Sequence, residues 1–261
     1  MSNPAITPTA PQWGGIGSGL LTCTVNPFSA GDLLVLQFYA NGSPATAVSG
    51  GGVTRWACAS SYFDTSATFG VIAYASIWWG VVTTPGLSVI TVTNTGIGGN
   101  YGILWAREFT AIGANWSVVT QDPAPGTVDG LPATSGTTVT YPTLAPSAGG
   151  NDLYIGAAWS YFGKLNAGST PGFLYTAAGG NGNNQACYNP SVSAAIAPAS
   201  TSTITGTWLA IAAMFTAGGG LVSSPAYATS NNIISGGAGT WVNPGNAEGP
   251  PSGSFATWTA P

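Results

Sequence analysis

Gly31-Asp32-Leu33-Leu34-Val35-Leu36-Gln37-Phe38-Tyr39 is a turn glycine and a carboxylate followed by an apolar and aromatic run, and it reads as a turn leading into a strand. Asn151-Asp152-Leu153-Tyr154-Ile155 through Ala158-Trp159 echoes it. Each of these stretches opens one half of the chain, and the halves close alike. Leu104–Gly113 ends in Phe109-Thr110-Ala111 and a glycine, and Trp208–Gly219 ends in Phe215-Thr216-Ala217-Gly218. Two similar halves can supply the two sheets of one sandwich, whereas a solenoid is expected to show about three repeats or more. Asp32 and Asp152 are assigned to the turns, where a carboxylate accepts from nearby backbone N–H groups.

Outward from these stretches, strand signals recur without a convincing amphipathic helix. Strands are expected at 33–39, 53–60, 69–82, 88–93, 102–109, 117–121, 137–140, 152–159, 172–176, 186–188, 202–205 and 208–216. The longer ones mix β-branched and aromatic residues, which suit a pleated, half-buried surface. Gly50-Gly51-Gly52, Gly98-Gly99-Asn100, Pro123–Gly136 and Gly179–Asn184 separate them as turns and loops. The apolar run Phe69–Val82 is shorter than the roughly 20 residues of a spanning helix, so it reads as buried strand and no membrane insertion is expected. A succession of short strands without helices points to an all-β sandwich or barrel.

Charged residues are 4% of the 261, against about 25% in a typical soluble domain. The polar surface therefore has to come from Ser, Thr, Asn and backbone amide. Hydrophobic residues at 44% and ten Trp exclude a solvated, unfolded chain. Nucleic acid is not an expected partner, because the net charge is −4 and Arg55, Arg107 and Lys164 form no cluster. Met1–Pro11 has neither the basic segment nor the apolar core of a classical signal peptide. Cys23, Cys58 and Cys187 are widely spaced, odd in number and without a CxxC pair, and are read as buried free thiols.

The absence of His removes the usual general base and the commonest metal ligand, and with them Ser-His-Asp, Cys-His and most zinc chemistry. Glycoside hydrolysis needs only two carboxylates, which brings in Asp64, Glu108, Asp122 and Asp129. None of these makes an informative pair by spacing. Glu108, next to Arg107, is read as an ion pair or sheet-edge charge. Asp122 and Asp129 flank a loop that could offer oxygens to calcium, but the EF-hand pattern is absent and turn capping is the plainer reading. No catalytic residue, cofactor or metal is expected.

Aromatic side chains are the remaining candidates for binding. Trp78 and Trp79 are consecutive, so in a strand they face opposite sides. One belongs to the core, and the other is free to be a sugar-stacking platform, a subunit contact or filling for the opposite face. Tyr62, Trp79, Tyr101, Trp159 and Tyr161 are the candidate ligand or interface aromatics, several of them near loop ends where sandwiches carry grafted sites. Each also has a core reading. Asn41-Gly42-Ser43 and Asn115-Trp116-Ser117 are glycosylation triplets of little weight.

The succession GDLLVLQF, an aromatic-rich strand, LSVITVTNTG, ILWAREFTAIG, a Pro/Ser/Thr segment, NDLYIGAAW and TITGTWLAIAAMFTA resembles a jelly-roll, concanavalin-like module of actinobacterial phage minor tail and other surface proteins. The resemblance spans roughly residues 20–218 and carries no invariant chemical motif. It implies an antiparallel jelly-roll-like β-sandwich in a virion, with other virion proteins and further copies of itself as partners. Residues 1–19 are then an N-terminal arm, 20–218 the sandwich, 219–231 a linker, and 232–261 a C-terminal tail or the start of a second β-domain. Thirty residues are too few for an independent core, so the tail docks on the sandwich or a partner, or the sequence is the N-terminal portion of a longer protein.

Two function classes follow. The first is a non-enzymatic virion component, most simply a minor tail protein, with capsid decoration or a head fibre as the alternative. The second is a lectin-like module that recognises a cell-envelope glycan.

Overall fold

The computed structural model describes residues 6–8, 12–14, 20–42, 44–65, 72–94, 102–129, 134–160, 163–178 and 183–218. The expected linker at 219–231 and tail at 232–261 lie outside them, as do Tyr101 and Tyr161. The described strands all lie within one compact unit, residues 1–219.

Among the described residues the fold is all-β. The first half carries β1 (Thr7–Pro8), β2 (Gln12–Gly14), β3 (Leu20–Val25), β4 (Leu33–Asn41), β5 (Ala45–Gly50), β6 (Ala57–Asp64), β7 (Ala73–Val81), β8 (Ser88–Asn94) and β9 (Gly102–Thr110). The second carries β10 (Ser117–Asp122), β11 (Thr127–Val128), β12 (Thr134–Thr140), β13 (Asp152–Ser160), β14 (Leu165–Asn166), β15 (Leu174–Ala178), β16 (Asn184–Val192) and β17 (Ala199–Thr216).

The internal repeat is a repeat of topology. Four strands of the first half pair in the order β9-β4-β7-β6, and four of the second in the order β17-β13-β16-β15, every pairing antiparallel. The two stretches quoted first are the central strands, β4 and β13. Their registers match residue for residue: Leu33 sits opposite Phe109, and Leu153 opposite Phe215. Gly31 and Asn151 hold the same place before the strand, and both have positive φ, 95° and 61°. Asn is among the few non-glycine residues that enter this region readily.

These sheets pack face to face. Leu33, Val35, Tyr39, Ile77 and Phe109 of the first sheet meet Leu153, Ile155, Trp159, Ile211 and Phe215 of the second in one buried cluster. Each such large apolar side chain contributes about 1.5–3 kcal/mol relative to an exposed position, which makes this interior the main stabilising element. Both sheets are covered on their outer faces as well. Leu34, Leu36, Phe38 and Leu104 point away from the sandwich and pack under a third sheet, ordered β3-β8-β5, that supplies Leu21, Cys23, Ile90 and Val92. Tyr154, Cys187, Ala212 and Met214 point out of the second sheet and are covered by Val139, Tyr141, Leu144 and Phe173.

The sandwich is the expected fold class. Its winding bears on the jelly-roll expectation: each half of the chain supplies the four main strands of one sheet of the sandwich, with β11 of the second half added at the β6 edge of the first sheet, where a jelly roll distributes successive strands between two. The expected N-terminal arm also differs, because β1 and β2 pair with β9 and Ile6 is buried in the sandwich interior. The expected strands at 202–205 and 208–216 are one strand, β17, whose first part pairs with β12 and whose second part lies between β13 and β10.

Candidate functional site

Alternation along β9 separates the two residues expected to form an ion pair. Arg107 points into the sandwich, its guanidinium 4.3 Å from the Tyr188 ring centre and 5.3 Å from that of Trp105. Burial lowers its pKa from the usual arginine value. Glu108 points the other way, and its carboxylate partner is another carboxyl, Asp32. The ion-pair reading of Glu108 is therefore corrected by simple strand period. Glu108 also accepts the Phe28 backbone N–H at 2.8 Å. Burial first, then the hydrogen bond and charge of Glu108, push the Asp32 carboxyl up to about 7, against the pull of the Ser29 backbone. Both residues are buried, so no sugar ring reaches between them in the manner of a glycosidase pair.

Asp64 is buried. Asp129, with positive φ of 52°, accepts from the Thr65 backbone N–H at 2.7 Å and from the Thr65 hydroxyl. Asp152 accepts from the Ser147 backbone N–H, the turn role foreseen for it. Asp122 is exposed and precedes a cis bond to Pro123. Among the described residues no group of three or more His, Cys, Asp or Glu is placed to hold a metal ion. Cys23 and Cys187 are buried and Cys58 is half-buried, all as free thiols.

The aromatic candidates divide by sheet face. Tyr62 is fully buried and Trp159 is 6% exposed, both within the inter-sheet interior, so neither is a stacking platform. Trp79 also faces that interior, with its ring edge-on to Phe215 at 5.8 Å between centres. Trp78 is the member of the pair that faces outward. It lies on the outer face of the first sheet, in register with Cys58 of β6, where the third sheet leaves β6 and β7 incompletely covered.

Trp78 belongs to an open groove of about 320 Å³. Tyr74 and Phe63, opposite each other on β7 and β6, continue the aromatic lining, and Cys58 and Ser61 lie between. Pro44 and Ala45 line it too, together with the segment Pro125-Gly126-Thr127-Val128. This segment is tied down by two bonds: the Gly126 backbone N–H donates to Ser61 Oγ at 2.7 Å, and Ser60 Oγ donates to the Pro123 carbonyl at 2.8 Å. β11 then runs parallel to β6, with Thr127 opposite Tyr62. The aromatic floor is held as firmly. Trp78 Nε1 donates to Ser76 Oγ at 2.9 Å, and the Phe63 and Tyr74 rings pack edge-on at 6.1 Å. Sequence reasoning raised Trp78 only as the neighbour of Trp79, and gave no sign of the contribution from residues 125–128.

A second surface feature lies at the end of the sandwich where β4 begins. Phe28, Leu87 and Ile112 sit on three loops and are 76%, 80% and 96% exposed. The loops are joined by backbone bonds: Gly86 N–H donates to the Pro27 carbonyl at 2.9 Å, and Gly31 N–H to that of Val82, also at 2.9 Å. Trp116 Nε1, just past the third loop, donates to the Gly31 carbonyl at 3.0 Å.

Compared with known proteins, the chain matches no family model, no curated relative and no solved structure.

Proposed function

We propose that this chain is a non-enzymatic surface component of a virion, of the minor tail type that its strand signatures resemble, held by contacts with neighbouring subunits. The observation that carries the reading is the set of apolar tips Phe28, Leu87 and Ile112 at one end of the sandwich. Large apolar side chains grouped on adjoining loops gain free energy when a partner covers them. A chain with 4% charged residues meets such a partner without stripping water from many ions, which would otherwise need pairing.

The test is immunogold labelling of purified phage particles with antibody raised against residues 1–216. Label at the tail supports the minor tail role; label over the head moves the same protein to capsid decoration. Absence from particles overturns the reading. A variant carrying Phe28→Ser, Leu87→Ser and Ile112→Ser is expected to fold and to be lost from particles.

A further inference from the structure

We propose that the groove over Trp78 is a binding site for a neutral pyranose unit of a surface glycan. The internal repeat supplies the first argument. Leu36 and Gly156 stand three residues after the matched Leu33 and Leu153, and their partners on the next strand are Trp78 and Cys187. Trp78 and Cys187 therefore occupy equivalent outward positions in the two halves. In the second half the chain closes over this place itself: Tyr141 and Phe173 pack with Cys187, and Tyr175 lies opposite it on β15. In the first half no described segment does so, and the outer face of β6 and β7 is left as an aromatic-floored groove.

Charge defines what fits it. The lining residues include no Lys, Arg, Asp or Glu. Burial raises the Cys58 thiol and pushes the Tyr74 hydroxyl up to about 12, so both stay neutral at physiological pH. An ionic ligand would lose hydration here without a counter-charge. A pyranose is uncharged, with one apolar C–H face and hydroxyls around its rim. Trp78 and Phe63, both half-buried, offer apolar surface to such a face, and the buried Tyr74 ring beneath holds Phe63 in place, so little order is lost on binding. Ser61 and Thr127 are among the lining residues; Ser61 Oγ accepts from Gly126 N–H and Thr127 Oγ1 donates to the Ala124 carbonyl, which leaves the first a proton to give and the second a lone pair to offer a sugar hydroxyl. A volume of about 320 Å³ falls at the small end of ligand sites.

This goes beyond the assembly role and does not depend on it, because it is tested on the isolated full chain. Cellotetraose, maltotetraose, mannotetraose and a galactotetraose are titrated in turn, followed by Trp fluorescence and saturation-transfer NMR. At least one is expected to bind saturably. The affinity of that sugar is expected to fall roughly tenfold or more, about 1.4 kcal/mol, in Trp78→Ala and in Val128→Trp. The second variant leaves the aromatic floor in place and blocks the groove from its exposed rim. Retained near-UV circular dichroism in Val128→Trp separates loss of binding from loss of fold. Failure of all four sugars to bind overturns the proposal, as does binding unchanged in Val128→Trp. Binding of a polyproline peptide in the groove to the exclusion of the sugars assigns it to protein recognition instead and also overturns it. Particle labelling can fail while the titration succeeds, and the reverse, so the two readings fall separately.

Discussion

The side-chain amide of Gln37, at the centre of β4, donates to the backbone carbonyl of Gly156, at the centre of β13, at 3.1 Å across the interior of the sandwich. Tyr39 adds to this link: its hydroxyl is shared between Gln37 Oε1 at 2.7 Å and the Gln185 carbonyl at 2.9 Å. Apolar packing between two sheets is not directional, so it tolerates sliding. Hydrogen bonds from one central strand to the backbone of the other set how the sheets are aligned.

Replacement Gln37→Ala is therefore expected to cost about 2–4 kcal/mol, combining an emptied volume with loss of a buried donor to Gly156. Tyr39→Phe, which removes only the hydroxyl, is expected to cost about 1–2 kcal/mol. Urea unfolding followed by Trp fluorescence measures both. A change below about 0.5 kcal/mol in Gln37→Ala, the ordinary surface range, would contradict this account.

Gly156 is constrained on its other face. A Cβ there would lie 2.6 Å from Cys187 Sγ and 2.7 Å from Tyr141 Cδ1. Both neighbours are buried in the outer cluster of the second sheet, so neither moves aside freely. Gly156→Ala is expected to destabilise by about 1–3 kcal/mol through overpacking, while Gly126→Ala meets open space and is opposed only by its positive φ of 80°, a cost of about 1 kcal/mol. Thermal melts of the two variants side by side make the comparison.

Asp32 gives a pH dependence with a definite sign. Its folded-state pKa is about 7, above the roughly 3.9 of an unfolded aspartate. Between these values the folded state holds the extra proton, so this group's contribution is fully present below about pH 4 and is lost as pH rises through about 7. The facing acidic group is Glu108, and Ser29 opposes the shift through its backbone. Asp32→Asn, which keeps the shape and carries no charge, is expected to flatten the fall in urea midpoint between pH 5 and pH 8. A wild-type midpoint that rises over this range, with no difference in Asp32→Asn, would refute the assignment.

The adjacent tryptophans should behave oppositely. Trp79→Ala removes a ring packed on Phe215 in the sandwich interior and is expected to cost about 3 kcal/mol. Trp78→Ala empties part of an open groove and is expected to cost about half as much. Unfolding midpoints of the two variants decide which residue belongs to the core.

Much of the fold was legible because its signals are local. The paired openings at Gly31 and Asn151 and the paired closings at Phe109 and Phe215 mark the same strands in each half. The third sheet was harder to foresee. β5, Ala45–Gly50, has small and polar residues and becomes a strand through pairing with β8. β3 does alternate strictly between exposed and buried positions, a period-two pattern readable in Leu20–Val25. β17 read as two strands because Gly206 interrupts its apolar pattern, and pairing with β12 carries the strand through that break.

By itself the sequence determined an all-β chain in two like halves, short of charge and without the histidine that most hydrolytic and metal chemistry would use. Alternation also established that Trp78 and Trp79 must face opposite ways, and the same period, once β9 is in place, separates Arg107 from Glu108. Only the tertiary structure decided which member of each pair met the interior. A strand's period is written in neighbouring residues, but the identity of its buried face depends on a sheet contributed from more than a hundred residues away. Separation along the chain likewise hid the Asp32–Glu108 pair and the contribution of residues 125–128 to the lining of the Trp78 groove, since partners brought together by pairing and packing leave no fixed spacing along the chain.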